Sequence, residues 1–292
     1  MHIQQPMRQL QCGIALFQVL IIAAMLSVIL LSMQHKARSQ LALAEAVQNR
    51  ASSLLQLETI QSKIELAIIT GDSSGFIGWN LHNQPFTDQG FTIQIQDLSG
   101  LYSVNHFGNS HLTKVLQQVG VQESEALSII AALNAWQKKA DASSRSLLTT
   151  GQPQRHAPLQ SLVELTAITG MTPQLYQKVS PFITLYQRPF FNPMLAPEAI
   201  LHTILAPELV QQIVQLRSSG ELTPNMFWRL TNIEPDDTIS YSTGPGYRIV
   251  ISQQDNTVKV SRLYEATFKP HEKLPLTFWH RQRINVLPER VF

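Results

Sequence analysis

The run from Ile14 to Met33 reads IALFQVLIIAAMLSVILLSM, with no charged residue and only Gln18, Ser27 and Ser32 polar. At about 1.5 Å of rise per residue it reaches about 30 Å, the hydrocarbon thickness of a bilayer, so it is long enough to span one. A cleaved secretory signal is the rival reading. Such signals have an apolar region of only about 7–15 residues ending in a small-residue site, which Ser32-Met33-Gln34-His35-Lys36 does not supply. Arg8 flanks the run on one side and Lys36 and Arg38 on the other, so basic residues alone do not set its orientation.

Neither Gly nor Pro occurs between Ile14 and Thr70, and the stretch after Met33 is rich in Ala, Leu, Gln, Glu and Arg. These are good helix formers, so the helix is predicted to leave the membrane unbroken. Apolar residues recur every three or four positions at Leu43, Val47, Ala51, Leu54, Leu57, Ile60, Ile64 and Ile68, a packing stripe on an otherwise polar rod. Gly71, with Asp72, Ser73 and Ser74 behind it, is a helix stop, giving one helix of about 57 residues. That helix is either a coiled-coil stalk or half anchor and half packed along its own head, and the stripe is expected to meet neighbouring helices.

Working outward, Phe91 to Asp97 (FTIQIQD) alternates strictly and reads as a half-buried strand ended by the turn chemistry of Asp97-Leu98-Ser99-Gly100. Spacing then becomes helical from about Leu112 to Leu230, with segments at 112–119, 124–136, 161–168, 173–179, 197–205 and 207–217, several opening on Pro. Period two returns at Tyr247–Ser252 and Thr257–Tyr264 around a turn at Asp255-Asn256, a hairpin, and Leu276–Val286 supplies a further strand. The fold class is α+β: a long N-terminal helix on an antiparallel sheet, with a large all-helical domain inserted. The expected divisions are a leader at 1–13, a transmembrane helix at 14–33, its amphipathic continuation at 34–71, a head from 72–104 and 231–292, and an insert at 105–230.

Composition excludes several classes. Lys and Arg number 22 against 20 Asp and Glu, so no charge excess points to nucleic acid. The single cysteine, Cys12, precedes the apolar run, which removes disulfides from the body and does not suit lipid attachment. There is no G-x-S-x-G, P-loop, G-x-G-x-x-G or H-E-x-x-H, so no enzymatic activity is expected. His106 and His111 are off the i, i+4 spacing of paired metal ligands, and Asp236-Asp237 reads as a solvated turn. Thr169-Gly-Met-Thr-Pro173-Gln-Leu175 and Thr203-Ile-Leu-Ala-Pro207-Glu-Leu209 share Thr, Pro and Leu, a weak internal repeat of two helical hairpins. Helix-hairpin-helix modules that contact DNA phosphates need closely spaced glycines and basic flanks, which are missing here.

A short hydrophilic leader, Gly13, an apolar helix, its amphipathic continuation and an α/β head together resemble the type IV pilin-like subunits. The resemblance implies cutting by a prepilin peptidase between Gly13 and Ile14. Most such subunits carry Glu at the fifth mature position, where this chain has Gln18, and lack of that glutamate marks the K-type minor pseudopilins of the type II (general) secretion pathway. His156 to Leu165 (HAPLQSLVEL) followed by Thr169 to Tyr176 (TGMTPQLY), and Phe191-Asn192 with Ala196 to Leu201 (APEAIL), are similar to that family's segments. At 134–141 only Trp136 and Asp141 match the family's acidic D-W run.

The resemblance implies a bacterial inner-membrane, single-pass subunit with its head in the periplasm, at the tip of the pseudopilus. Implied partners are other minor pseudopilins, the prepilin peptidase and the inner-membrane secretion platform, with no nucleic acid. A DNA-binding type IV pilus or competence minor pilin is the alternative. The family binds calcium through its helical domain, but from Asn105 to Leu195 the only acids are Glu123, Glu125, Asp141 and Glu164. Against the six to eight oxygens calcium takes, no cofactor is expected.

Overall fold

The computed structural model describes residues 10–105, 109–138, 157–186, 190–254 and 259–283. The leader before Leu10, His106, Asp141, His156, the Asp255-Asn256 turn and the strand beyond Arg283 lie outside them. Helix α1 runs from Leu10 to Thr70, 61 residues, starting ahead of the Ile14 expected from hydropathy. Gly71 follows it with φ +71°, the left-handed stop that glycine makes without steric cost. Tertiary contacts split the chain between Gln56 and Leu57, so that the first part of α1 belongs to one unit and the last turns of α1 to the head.

The head is built on a five-stranded sheet in the order β1 (Phe86–Asp88), β2 (Phe91–Asp97), β5 (Gly246–Gln254), β6 (Lys259–Phe268), β7 (Leu276–Arg283). β1 pairs with β2, β2 with β5 and β6 with β7, each antiparallel. β2 occupies the seven residues that alternation marks out, with Phe91, Ile93 and Ile95 buried, and it is set against β5 through Ile93↔Ile251 and Ile95↔Ile249. β1 falls in a stretch read as loop, being only three residues long and too short to show a period.

Side chains alternate across the sheet and so separate its two faces. On one face Arg262 of β6 donates to Glu58 at 2.7 Å and to Gln61, both on the last turns of α1. There Leu57, Ile60 and Ile64 are buried completely or nearly so. Lys63 fastens the end of the helix, 2.7 Å from Asp88 of β1, 3.1 Å from the Gly75 carbonyl and 4.3 Å above the Phe76 ring.

The opposite face carries Glu265 and Arg248, which meet the segment between β2 and β5. That segment holds α2 (Asn109–Gln118), α3 (Glu123–Gln137), α4 (Pro173–Val179), α5 (Glu198–Leu201), α6 (Pro207–Ser218) and α7 (Pro224–Thr231). One core joins them, from Leu98 and Leu116 through Ile129, Leu165 and Ile200 to Phe227.

The segment is not entirely helical. Tyr102–Ser103 (β3) and Ile183–Thr184 (β4) form a parallel two-stranded sheet. Two-residue strands leave no periodicity, which is why β4 is invisible within the 105–230 stretch read as all-helical. Leu162–Ala167 is a 3₁₀ helix, opened by a capping box in which Ser161 and Glu164 serve each other's backbone. α5 is one turn, shorter than the 197–205 read from spacing. α7 is an added helix, started by Thr223 accepting from Met226 N–H with Pro224 behind it.

Candidate functional site: the anchor helix, its packing faces and the insert junction

Gly13 and Ile14 lie within α1, near the start of the described residues. From Ala15 on the helix is long and apolar enough to cross a membrane. Leu16, Phe17, Leu20, Met25 and Leu30 are all exposed. Ser27 and Ser32 return their hydroxyls to the carbonyls of Ala23 at 2.8 Å and Ile29 at 2.7 Å, which removes their cost in lipid. Gln18 is exposed on the same helix.

The stripe read from sequence divides in two. Leu43 and Val47 are 66% and 61% exposed, whereas Leu57, Ile60 and Ile64 lie in the head's own core, leaving Leu54 and Ile68 half-buried. Only the upper half of the stripe is open to another helix; the lower half is already occupied. Ala67 and the polar Gln61 join the buried set, and Glu58 stands beside them. Helical spacing of apolar residues does not register Gln61 or Glu58, and their signal is the arginine of β6.

At the junction of sheet and insert, Asp97 ends β2 and caps the turn after it. Its carboxylate accepts from Ser99 N–H at 2.8 Å, Ser99 O–H at 2.7 Å and, from the far end of the insert, Gly244 N–H at 2.6 Å. Gly100 follows; a Cβ there would lie 2.4 Å from the Leu195 carbonyl oxygen, so the backbones touch. Arg248 pairs with Glu265 at 2.6 Å and donates to the carbonyls of Ser180, Pro181 and Ile183. Arg217 donates to the Ala196 and Pro193 carbonyls at 2.7 and 2.8 Å, and burial lowers it to about 10 against the pull of Glu198. Burial, and next the Arg217 charge, lower His82 to about 4 despite its contact with Gln84. Tyr102, bonded to Thr203 at 3.0 Å, is pushed by burial up to about 12.

The two repeat segments open α4 and α6, but Thr172 caps α4 through Leu175 N–H while Ala206 gives α6 no side-chain cap. Asp236 accepts from the Thr238 hydroxyl and from the Thr238 and Ile239 N–H groups, hydrogen bonds that hold its carboxyl below the usual value. His111 stacks on Tyr102 with centroids 4.9 Å apart. Among the described residues no group of three or more His, Cys, Asp or Glu is placed to hold a metal ion.

A long N-terminal helix apolar enough to cross a membrane, ending against an antiparallel sheet interrupted by helices, defines an α+β protein. Residues 92–188, a third of the chain, match the family model for the type II secretion system (T2SS), protein K. The match takes in most of β2, then α2, α3, α4 and β4, and includes the Gly170-Met171-Thr172 segment. No curated protein matches by sequence. Among solved structures, a chain of the GspK-GspI-GspJ complex of the type 2 secretion system from enterotoxigenic Escherichia coli is similar, at 15% identity and a TM-score of 0.48, over 86% of this chain and all of that one.

Proposed function

We propose that this chain is a minor pseudopilin that is cut after Gly13, assembles with other minor pseudopilins and stands at the tip of the pseudopilus, where it starts the filament. The match of residues 92–188 to protein K carries the reading. The family is a structural component of a secretion apparatus, and the role rests on packing rather than on chemistry. α1 holds the subunit in the inner membrane until assembly, with the head in the periplasm. Leu43 and Val47, exposed above the head's own share of the stripe, offer apolar surface to neighbouring helices. Gln18 stands where most pilin-like subunits have a carboxylate, consistent with a subunit that has none above it.

The test is co-expression with a prepilin peptidase, reading the N-terminus by mass spectrometry. Cutting should expose Ile14, and Gly13→Ala should retain the leader. A chain that keeps its leader and behaves identically with Gly13→Ala removes the processing step. Failure of other minor pseudopilins to co-purify with the full-length protein removes the assembly role.

A further inference from the structure

We infer that the outer edge of β7 is a docking site for an acidic, extended segment of another protein chain, which would add to the sheet as a sixth strand. β7 ends the sheet, and among the described residues no strand pairs with its outer side. The opposite edge is closed off differently: β1 is three residues long, and His82 makes an isolated bridge to Gln96 beside it. Along these eight residues the outward N–H and C=O groups meet no described strand, and proteins commonly shorten, cover or charge such an edge.

Two features distinguish β7 from a merely protected edge. Its pairing with β6 skips a residue, since Glu265 faces His280 while Ala266 faces Phe278, so Trp279 has no opposite number. The bulge turns Trp279 toward the insert side, where its indole N–H donates to Thr267 O–H and its ring meets Tyr186 edge-on at 6.0 Å. Phe278 lies on the other face against Tyr264, at 5.6 Å. Both rings remain open, Trp279 63% and Phe278 43% exposed, and Leu274 just before the strand is 72% exposed. An added strand directs alternate side chains to the two faces, and each face of β7 offers it one aromatic surface.

Charge selects the occupant. From Lys269 to Arg283 the sequence holds four Lys or Arg, two His and one acid, Glu272, which is engaged by Lys269 at 2.8 Å. A second copy of the same strand would be repelled, whereas an acidic strand is attracted.

The experiment uses full-length protein in phosphatidylcholine nanodiscs, mixed with a synthetic peptide of alternating glutamate and valine or with its lysine counterpart. Amide exchange across residues 276–283 is followed by mass spectrometry. The acidic peptide should slow exchange there about tenfold or more and lose its effect with added salt, and the lysine peptide should do nothing. Lys273→Glu combined with Arg281→Glu and Arg283→Glu should invert the preference, with unchanged exchange in β2 showing that the head remains folded. Protection by neither peptide, or by both equally, overturns the proposal. So does protection that appears only when phosphatidylglycerol replaces part of the lipid, which would make the strand a membrane contact.

Discussion

Asp97 and Gly244, 147 positions apart in sequence, are hydrogen-bonded at 2.6 Å, so the insert leaves the sheet and returns to it at one point. Asp97 is fully buried, and its carboxylate also holds Ser99. Asp97→Ala would strand buried donors at both ends of the insert, at a cost of roughly 2–4 kcal/mol. Thermal melting of the full-length protein is the measure, and a variant that melts with the wild type would show that the closure is dispensable.

Arg248 carries more than its ion pair with Glu265. Its guanidinium also takes the carbonyls of Ser180, Pro181 and Ile183, so Arg248→Ala leaves Glu265 buried alone and three acceptors unserved, costing roughly 3–5 kcal/mol. Replacing both partners, Arg248→Met with Glu265→Leu, is expected to cost less than Arg248→Ala by itself. A double variant weaker than the single one would contradict that ordering.

The divided stripe on α1 separates folding from assembly. Ile64→Ala empties a fully buried site and should cost roughly 2–4 kcal/mol in denaturant titration. Leu43→Ala, at an exposed position, should leave the melting of the isolated protein within about 0.5 kcal/mol of wild type while reducing recovery of partner subunits. Equal destabilisation by the two would mean that the upper stripe is also internal.

His82 sets an acid limit on the head. Its folded-state value of about 4 lies below the ordinary 6.5, so the neutral ring is favoured in the fold and the unfolded chain takes up the proton first. Stability is full above about pH 6.5, declines as pH falls toward 4 and levels off below; the loss is roughly 2–3 kcal/mol after allowance for partial exposure. Unfolding at pH 7 and pH 4.5 should differ less in His82→Gln than in wild type.

Gly170 has φ +88°, and a Cβ there would sit 2.7 Å from Ile129 Cγ1 on α3. Gly170→Ala combines left-handed strain with a side-chain clash and should cost roughly 1–3 kcal/mol, whereas Gly220→Ala, with φ +73° and open space, costs only the strain. Matching melting temperatures for the two variants would remove the packing role of Gly170.

What the sequence discloses depends on how far a pattern repeats. Phe91–Asp97 shows three full alternations and is read to the residue, and the anchor is read from uninterrupted apolarity. β3, β4 and β1 are two or three residues long and are created by their partners, so nothing local announces them. The packing half of the stripe reads correctly as apolar, but its destination depends on Arg262, some two hundred residues away, choosing Glu58 and Gln61. Gly13 and Gln18 carry their meaning only through resemblance to pilin-like subunits.

The pairing of Thr92 with Ser252 has a kinetic side. This is contact of very high order, and such pairing closes slowly because the loop's entropy is lost before any ladder bond forms. During synthesis at ~5–20 residues per second, β2 would be waiting roughly 10–30 s for β5 to emerge, with an apolar face and an open edge. The insert core, complete in sequence before β5 begins, can form first and shorten that closure. Folding of the head then becomes a matter of docking a preassembled module.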